Sequence, residues 1–78
     1  MGNNTAMNLY ILNEVLSDYT AGMAVVAAPS LERCWELFRE KFAMSDKYLE
    51  IEKHYAEIKV LEGVNQPEGV VSYVYGGG

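Results

Sequence analysis

The stretch from Pro29 to Phe42 constrains the fold more than any other, because its apolar residues recur at helical spacing. Leu31, Cys34, Trp35, Phe38 and Phe42 fall at i, i+3, i+4, i+7 and i+11, one face of a 3.6-residue period. Glu32, Arg33, Glu36, Arg39, Glu40 and Lys41 lie mostly on the other side, so water takes that face and a second layer must take the first. Ser30 is a good N-cap, Pro29 ahead of it marks a helix start, and Glu32 puts a negative charge where the helix dipole favours one. Burying a large apolar side chain is worth roughly 1.5–3 kcal/mol. Leu31, Trp35, Phe38 and Phe42 therefore make this helix the largest expected contributor to the core.

The partner layer must come from the flanking segments. Asn8 to Leu16 is rich in strand formers and apolar on both alternating faces over Leu9 to Leu12, as a central strand is. Turn chemistry from Ser17 to Gly22 separates it from the extended apolar run Met23 to Ala28, a spacing that suits a hairpin. The alanines of that run leave room for Trp35 and the two phenylalanines to come down onto the sheet. Beyond the helix, Ser45 or Asp46 is placed to cap a second, short helix over about 46–54, with Tyr48, Ile51 and Tyr55 at helical spacing, while Leu49 and Ile51 with Glu50 and Glu52 also alternate as a strand would. The helix is favoured because no glycine or asparagine between Ile51 and Ile58 offers a tight hairpin turn. Residues 56–62 alternate: Ala56, Ile58 and Val60 point one way, Glu57, Lys59 and Leu61 the other, predicting a strand with one face buried. A glycine- and proline-bearing loop over 63–69 leads to the strongly β-prone Val70 to Tyr75 and a glycine tail. The predicted fold is α+β: a small antiparallel or mixed four-stranded sheet with one main amphipathic helix on one face. Residues 7–78 form a single domain, with 1–6 expected to be a tag scar or disordered leader.

At 78 residues the core is small, and self-association or a partner is a natural supplement. The single cysteine, Cys34, allows no intrachain disulfide and sits on the apolar stripe as a small hydrophobe. The longest apolar run is too short to span a bilayer and no signal peptide is recognisable, so a cytoplasmic protein without membrane contact is expected. Six basic against eleven acidic side chains give a net charge of −5, which argues against direct nucleic-acid binding and suits a partner with a basic surface. His54 among Glu50, Glu52 and Glu57 is too sparse a set for a metal centre. No phosphate loop, nucleophile elbow or paired-carboxylate motif occurs; no enzyme activity, cofactor or metal is expected.

Two features stand out beside the core. Acidic residues concentrate after the main helix, Glu50, Glu52 and Glu57 among them, reading either as a docking face or as a solvated surface of ion pairs. Six tyrosines in so short a chain are unusual, and tyrosine supplies rigid, amphipathic contact area. Tyr48, Tyr55, Tyr73 and Tyr75 join the three glutamates as candidate partner-binding residues, although core use is expected for at least half of the six. Tyr73 and Tyr75 share one side of the last strand.

Two resemblances extend this reading. The order strand–strand–helix–strand–strand ending in Gly77-Gly78 resembles the ubiquitin-fold carrier proteins, which implies an activated diglycine tail. A longer likeness runs through Asn8-Leu9-Tyr10-Ile11-Leu12, Val25-Val26-Ala27-Ala28 feeding a helix, Glu57 to Gly63, and Glu68-Gly69-Val70-Val71-Ser72-Tyr73. Over residues 8–78 the chain resembles a group of small bacteriophage and prophage proteins, many of unassigned function. It departs from them in its fuller Trp35 helix and longer 45–55 stretch, and no site residue carries over. The resemblance implies a non-enzymatic phage accessory protein that binds and inhibits a host factor in the host cytoplasm, an anti-CRISPR-like anti-defence role included. A homo-oligomer holding a small ligand between subunits, a sponge for signalling molecules, is the further alternative.

Overall fold

The computed structural model describes residues 6–17 and 20–76. The elements run β1 (Met7–Val15), β2 (Gly22–Ala28), α1 (Leu31–Phe42), α2 (Asp46–Tyr55), β3 (Glu57–Val64) and β4 (Gly69–Val74). The predicted leader falls mostly outside the described residues, as do Gly77 and Gly78. The α+β fold read from the sequence is the observed one.

The sheet has the order β3-β1-β2-β4, with every neighbouring pair antiparallel. The β1–β2 hairpin is therefore central, and the last two strands flank it from opposite sides. Residues opposite each other in an antiparallel pair share a face, so Tyr10 with Val26, Leu12 with Ala24 and Asn8 with Ala28 line one side. Both helices pack on that side, α1 across β2 and β4, and α2 across β1. As the alanine run implied, small residues lie beneath the helix: Ala24, Val26 and Ala28 are buried against Cys34, Trp35 and Phe38.

The helix ends obey local chemistry. Ser30 caps α1 by accepting from the Arg33 N–H at 3.2 Å, and Ser45 caps α2 by accepting from the Tyr48 N–H at 3.4 Å. Ala43 closes α1 with φ 51°, a left-handed position more often given to glycine. Arg33 on α1 grips the Glu68 carboxylate with Nε at 3.1 Å and Nη2 at 3.2 Å, tying the helix to the β3–β4 loop. Its pKa is raised by the hydrogen bonds to Glu68 and then Glu36.

Two expectations change. Residues 57–64 form a strand, but it is exposed along almost all of its length rather than buried on one face. The alternation is real, and the reason is position: β3 is an edge strand, and α2 packs on β1 rather than over Ile58 and Val60. Leu31 is also exposed, because it is the first residue of its helix.

Candidate interaction surface

The seven residues singled out as partner-binding do not form one surface. Tyr48, Glu50, Glu52 and Tyr55 ride on α2; Glu57 begins β3; Tyr73 and Tyr75 belong to β4 and its end, at the opposite edge of the sheet. Glu57 lies opposite Asn13, on the sheet face away from the helices, so the strand order separates the acidic group from the last two tyrosines.

Several of the seven have structural duties. Glu52 is half-buried, and its Oε2 accepts from the Leu16 backbone N–H at 2.8 Å. Tyr73 and Tyr75 continue an aromatic chain out of the core. Trp35 meets Phe38 edge-on at 5.4 Å, Phe38 meets Phe42 at 5.0 Å, and Phe42 meets Tyr73 at 5.0 Å and Tyr75 at 5.8 Å. Lys41 Nζ stands 5.6 Å from the Tyr73 ring centroid, within cation–π range. Among the described tyrosines only Tyr10 is buried, so core use is rarer than the sequence implied. The sixth, Tyr19, lies outside the described residues.

The outward side of α2 is different. Tyr48 is 65%, Ile51 44% and Tyr55 66% exposed, although i, i+3, i+7 spacing stacks them along one side of the helix. Leu49 and Ala56 supply the contacts that hold this segment to the core. The stripe therefore comes on top of what anchors α2. Ser17, Met44, Tyr48, Ile51 and Glu52 line a shallow cleft at its start. Charges surround it: Asp46 pairs with Arg39 at 3.0 Å, and Glu50 with Lys53 at 3.6 Å. His54 is exposed and meets Tyr55 edge-on at 4.8 Å. Ile51, not among the seven, completes this exposed stripe, and its helical spacing from Tyr48 and Tyr55 is the signal for it.

The remaining chemistry is sparse. Cys34 is fully buried, and burial pushes its thiol up to about 12. Among the described residues no group of three or more His, Cys, Asp or Glu is placed to hold a metal ion, and no helix is long and apolar enough to cross a membrane. The Gly76 N–H, just before the tail, donates to the Leu16 carbonyl at 2.9 Å. Compared with protein families, curated proteins and solved structures, the chain matches none.

Proposed function

We propose that this chain is a non-enzymatic accessory protein of the phage type that binds a host protein and blocks it by occlusion, with the outward side of α2 as its contact. The carrying observation is the exposed stripe of Tyr48, Ile51 and Tyr55, which the core does not use. Two aromatic anchors around an aliphatic residue, rimmed by Asp46, Lys47, Glu50 and Lys53, have the anatomy of a small hot spot with a polar border. The net charge of −5 selects for a partner with a basic surface and speeds encounter with it. An anti-defence role, anti-CRISPR-like in kind, is the setting in which such occlusion serves a phage.

The test starts from immobilised chain and bacterial host lysate, followed by rebinding of the captured protein in purified form. Replacing Tyr48, Ile51 and Tyr55 together by serine weakens that purified complex at least about 30-fold, a loss of about 2 kcal/mol. The same substitutions abolish any effect of the chain on phage interference. Deleting Gly77 and Gly78 leaves both readouts unchanged. Binding that survives the α2 substitutions, or that disappears with the two glycines, defeats this reading.

A further inference from the structure

We infer that the helix-free face of the sheet is a homodimer interface, taken up by the same face of a second copy of this chain. An antiparallel sheet with one wet face ordinarily alternates apolar-in and polar-out. Here the rule fails in the central hairpin. Leu9, Ile11, Met23 and Val25 alternate with the buried helix-side residues and so point to the helix-free side, where they are part-exposed and outside the core cluster. Of the outward positions paired across β1 and β2, only Asn13 is polar. Ladder partners extend the patch to both edges, Leu61 beside Leu9 and Val74 beside Met23, at 53% and 58% exposure.

Asn13 apart, the polar residues of this face lie at its rim. Glu57 and Lys59 occupy the β3 edge and Ser72 the β4 edge, opposite Asn13, Ile11 and Val25 respectively. Two acids, Glu57 and the exposed Glu14 beside Asn13, Met23 and Val74, stand against one base, Lys59. That puts only a small part of the chain's net charge of −5 on this face, and all of it at the border, so two copies meet there with less repulsion than the rest of the surface imposes. An apolar centre with a polar border is the anatomy of a specific interface.

Area and shape favour a second copy. Four strands of this length cover about 19 by 25 Å, or roughly 500 Å² of flat footprint per chain. Two such faces reach the ~1,000 Å² total that separates specific interfaces from incidental ones. A two-fold axis parallel to the strands lays each β1–β2 hairpin on its mate. It sets Ile11 over Val25, the larger residue over the smaller, as aligned sheet packing prefers, with Leu9 beside them above the already buried Ala27. Both α2 stripes then face outward, so this inference stands apart from the proposed partner contact.

Sedimentation velocity on the intact chain tests it, with a dimer of twice 8.7 kDa expected in the micromolar range. Val25→Lys, and separately the edge pair L61E with V74E, raise the dissociation constant about 100-fold or more by burying unpaired or like charge, while circular dichroism stays unchanged. Val74 is level with Glu57 across the sheet, and the two-fold sets it over that residue of the mate. Isotope-filtered NMR on a mixture of labelled and unlabelled native chain supplies a readout without substitution: intermolecular contacts between Ile11 methyls and those of Val25. A monomer at several hundred micromolar overturns the proposal and leaves the face to another occupant. A dimer that persists in the folded variants, or intermolecular contacts confined to α2 or a strand edge, overturns it equally.

Discussion

Glu52 reaches 36 positions back along the chain to accept a 2.8 Å hydrogen bond from the backbone N–H of Leu16. The Leu16 carbonyl accepts from the Gly76 N–H at 2.9 Å, so both backbone groups of this residue are held by distant parts of the chain. Leu16 needs holding. Its φ is 54°, in the left-handed region that a branched side chain rarely occupies, and Glu14 two residues earlier has φ 65° where β1 loses register with β2. Each such residue costs about 1–2 kcal/mol of conformational strain. The bulge and the reversal after it turn Val15 and Leu16 into the core.

Replacing Glu52 by alanine is therefore expected to destabilise the chain by about 1–3 kcal/mol, the usual cost of orphaning a donor that faced a charged acceptor. Glu52→Gln keeps an acceptor oxygen at the same reach and costs less than half as much. Urea midpoints at neutral pH measure both. An alanine variant as stable as the native chain shows that this clamp adds nothing.

Of the strand glycines Gly22, Gly63 and Gly69, only Gly22 has no room for a Cβ. A Cβ built there stands 2.5 Å from the Val74 carbonyl oxygen, 2.6 Å from that of Val15 and 2.7 Å from the Gly76 nitrogen. None of these is a flexible side-chain end, so backbone on both sides must give, and β4, an edge strand, is the freer to move. Gly22→Ala is expected to lose about 1–3 kcal/mol through overpacking. Amide exchange should accelerate along β4 before it does along β1, the reverse of what uniform destabilisation produces.

Cys34 makes stability fall at alkaline pH. Its thiol is neutral in the fold and, with burial pushing it up to about 12, keeps its proton while the unfolded thiol ionises near 9. The folded state then binds more protons than the unfolded one. The contribution is whole below pH 9 and is lost as pH rises towards 12, at up to about 1.4 kcal/mol per pH unit. Tyrosines and lysines titrate in the same window, so the measurement is a difference. The stability gap between the native chain and Cys34→Ala should be constant from pH 6 to 8 and narrow above 9. Alkylation of the native thiol at pH 8 should proceed only at the rate of unfolding.

The elements were legible where local rules act alone. Ser30, the Leu31–Phe42 periodicity and the β-prone Val70–Tyr75 each specify their element without help from afar; the apolar run of residues 9–12 announced a central strand, and that of 23–28 its hairpin partner. Strand order was not legible, since nothing within Glu57–Val64 says that it pairs with β1 rather than β4. That order decides burial, which is why Ile58 and Val60 were expected inside and stand half-exposed. It also breaks up the candidate site: Glu57 and Tyr73 sit within one acidic, tyrosine-rich half of the sequence, yet on opposite edges of the sheet. Glu52 read as one acid among many because its partner is a backbone N–H freed by a bulge.

The two tyrosine pairs give the separation between binding and folding a direct test. Tyr73 and Tyr75 meet Phe42 and each other, at 5.4 Å between their own rings, while Tyr48 makes no ring contact among those described and Tyr55 meets only His54. An aromatic pair adds about 0.5–1.5 kcal/mol beyond its buried area. Tyr73→Ala should therefore lower the unfolding midpoint clearly and leave the purified partner complex within about threefold of native affinity under folded conditions. Tyr48→Ala combined with Tyr55→Ala should do the opposite, holding stability within about 0.5 kcal/mol, as surface changes do, while weakening the complex at least tenfold. A shared loss of both properties in either variant means that α2 and the aromatic chain act as one unit, and the outward stripe is then part of the core's support rather than a surface kept for a partner.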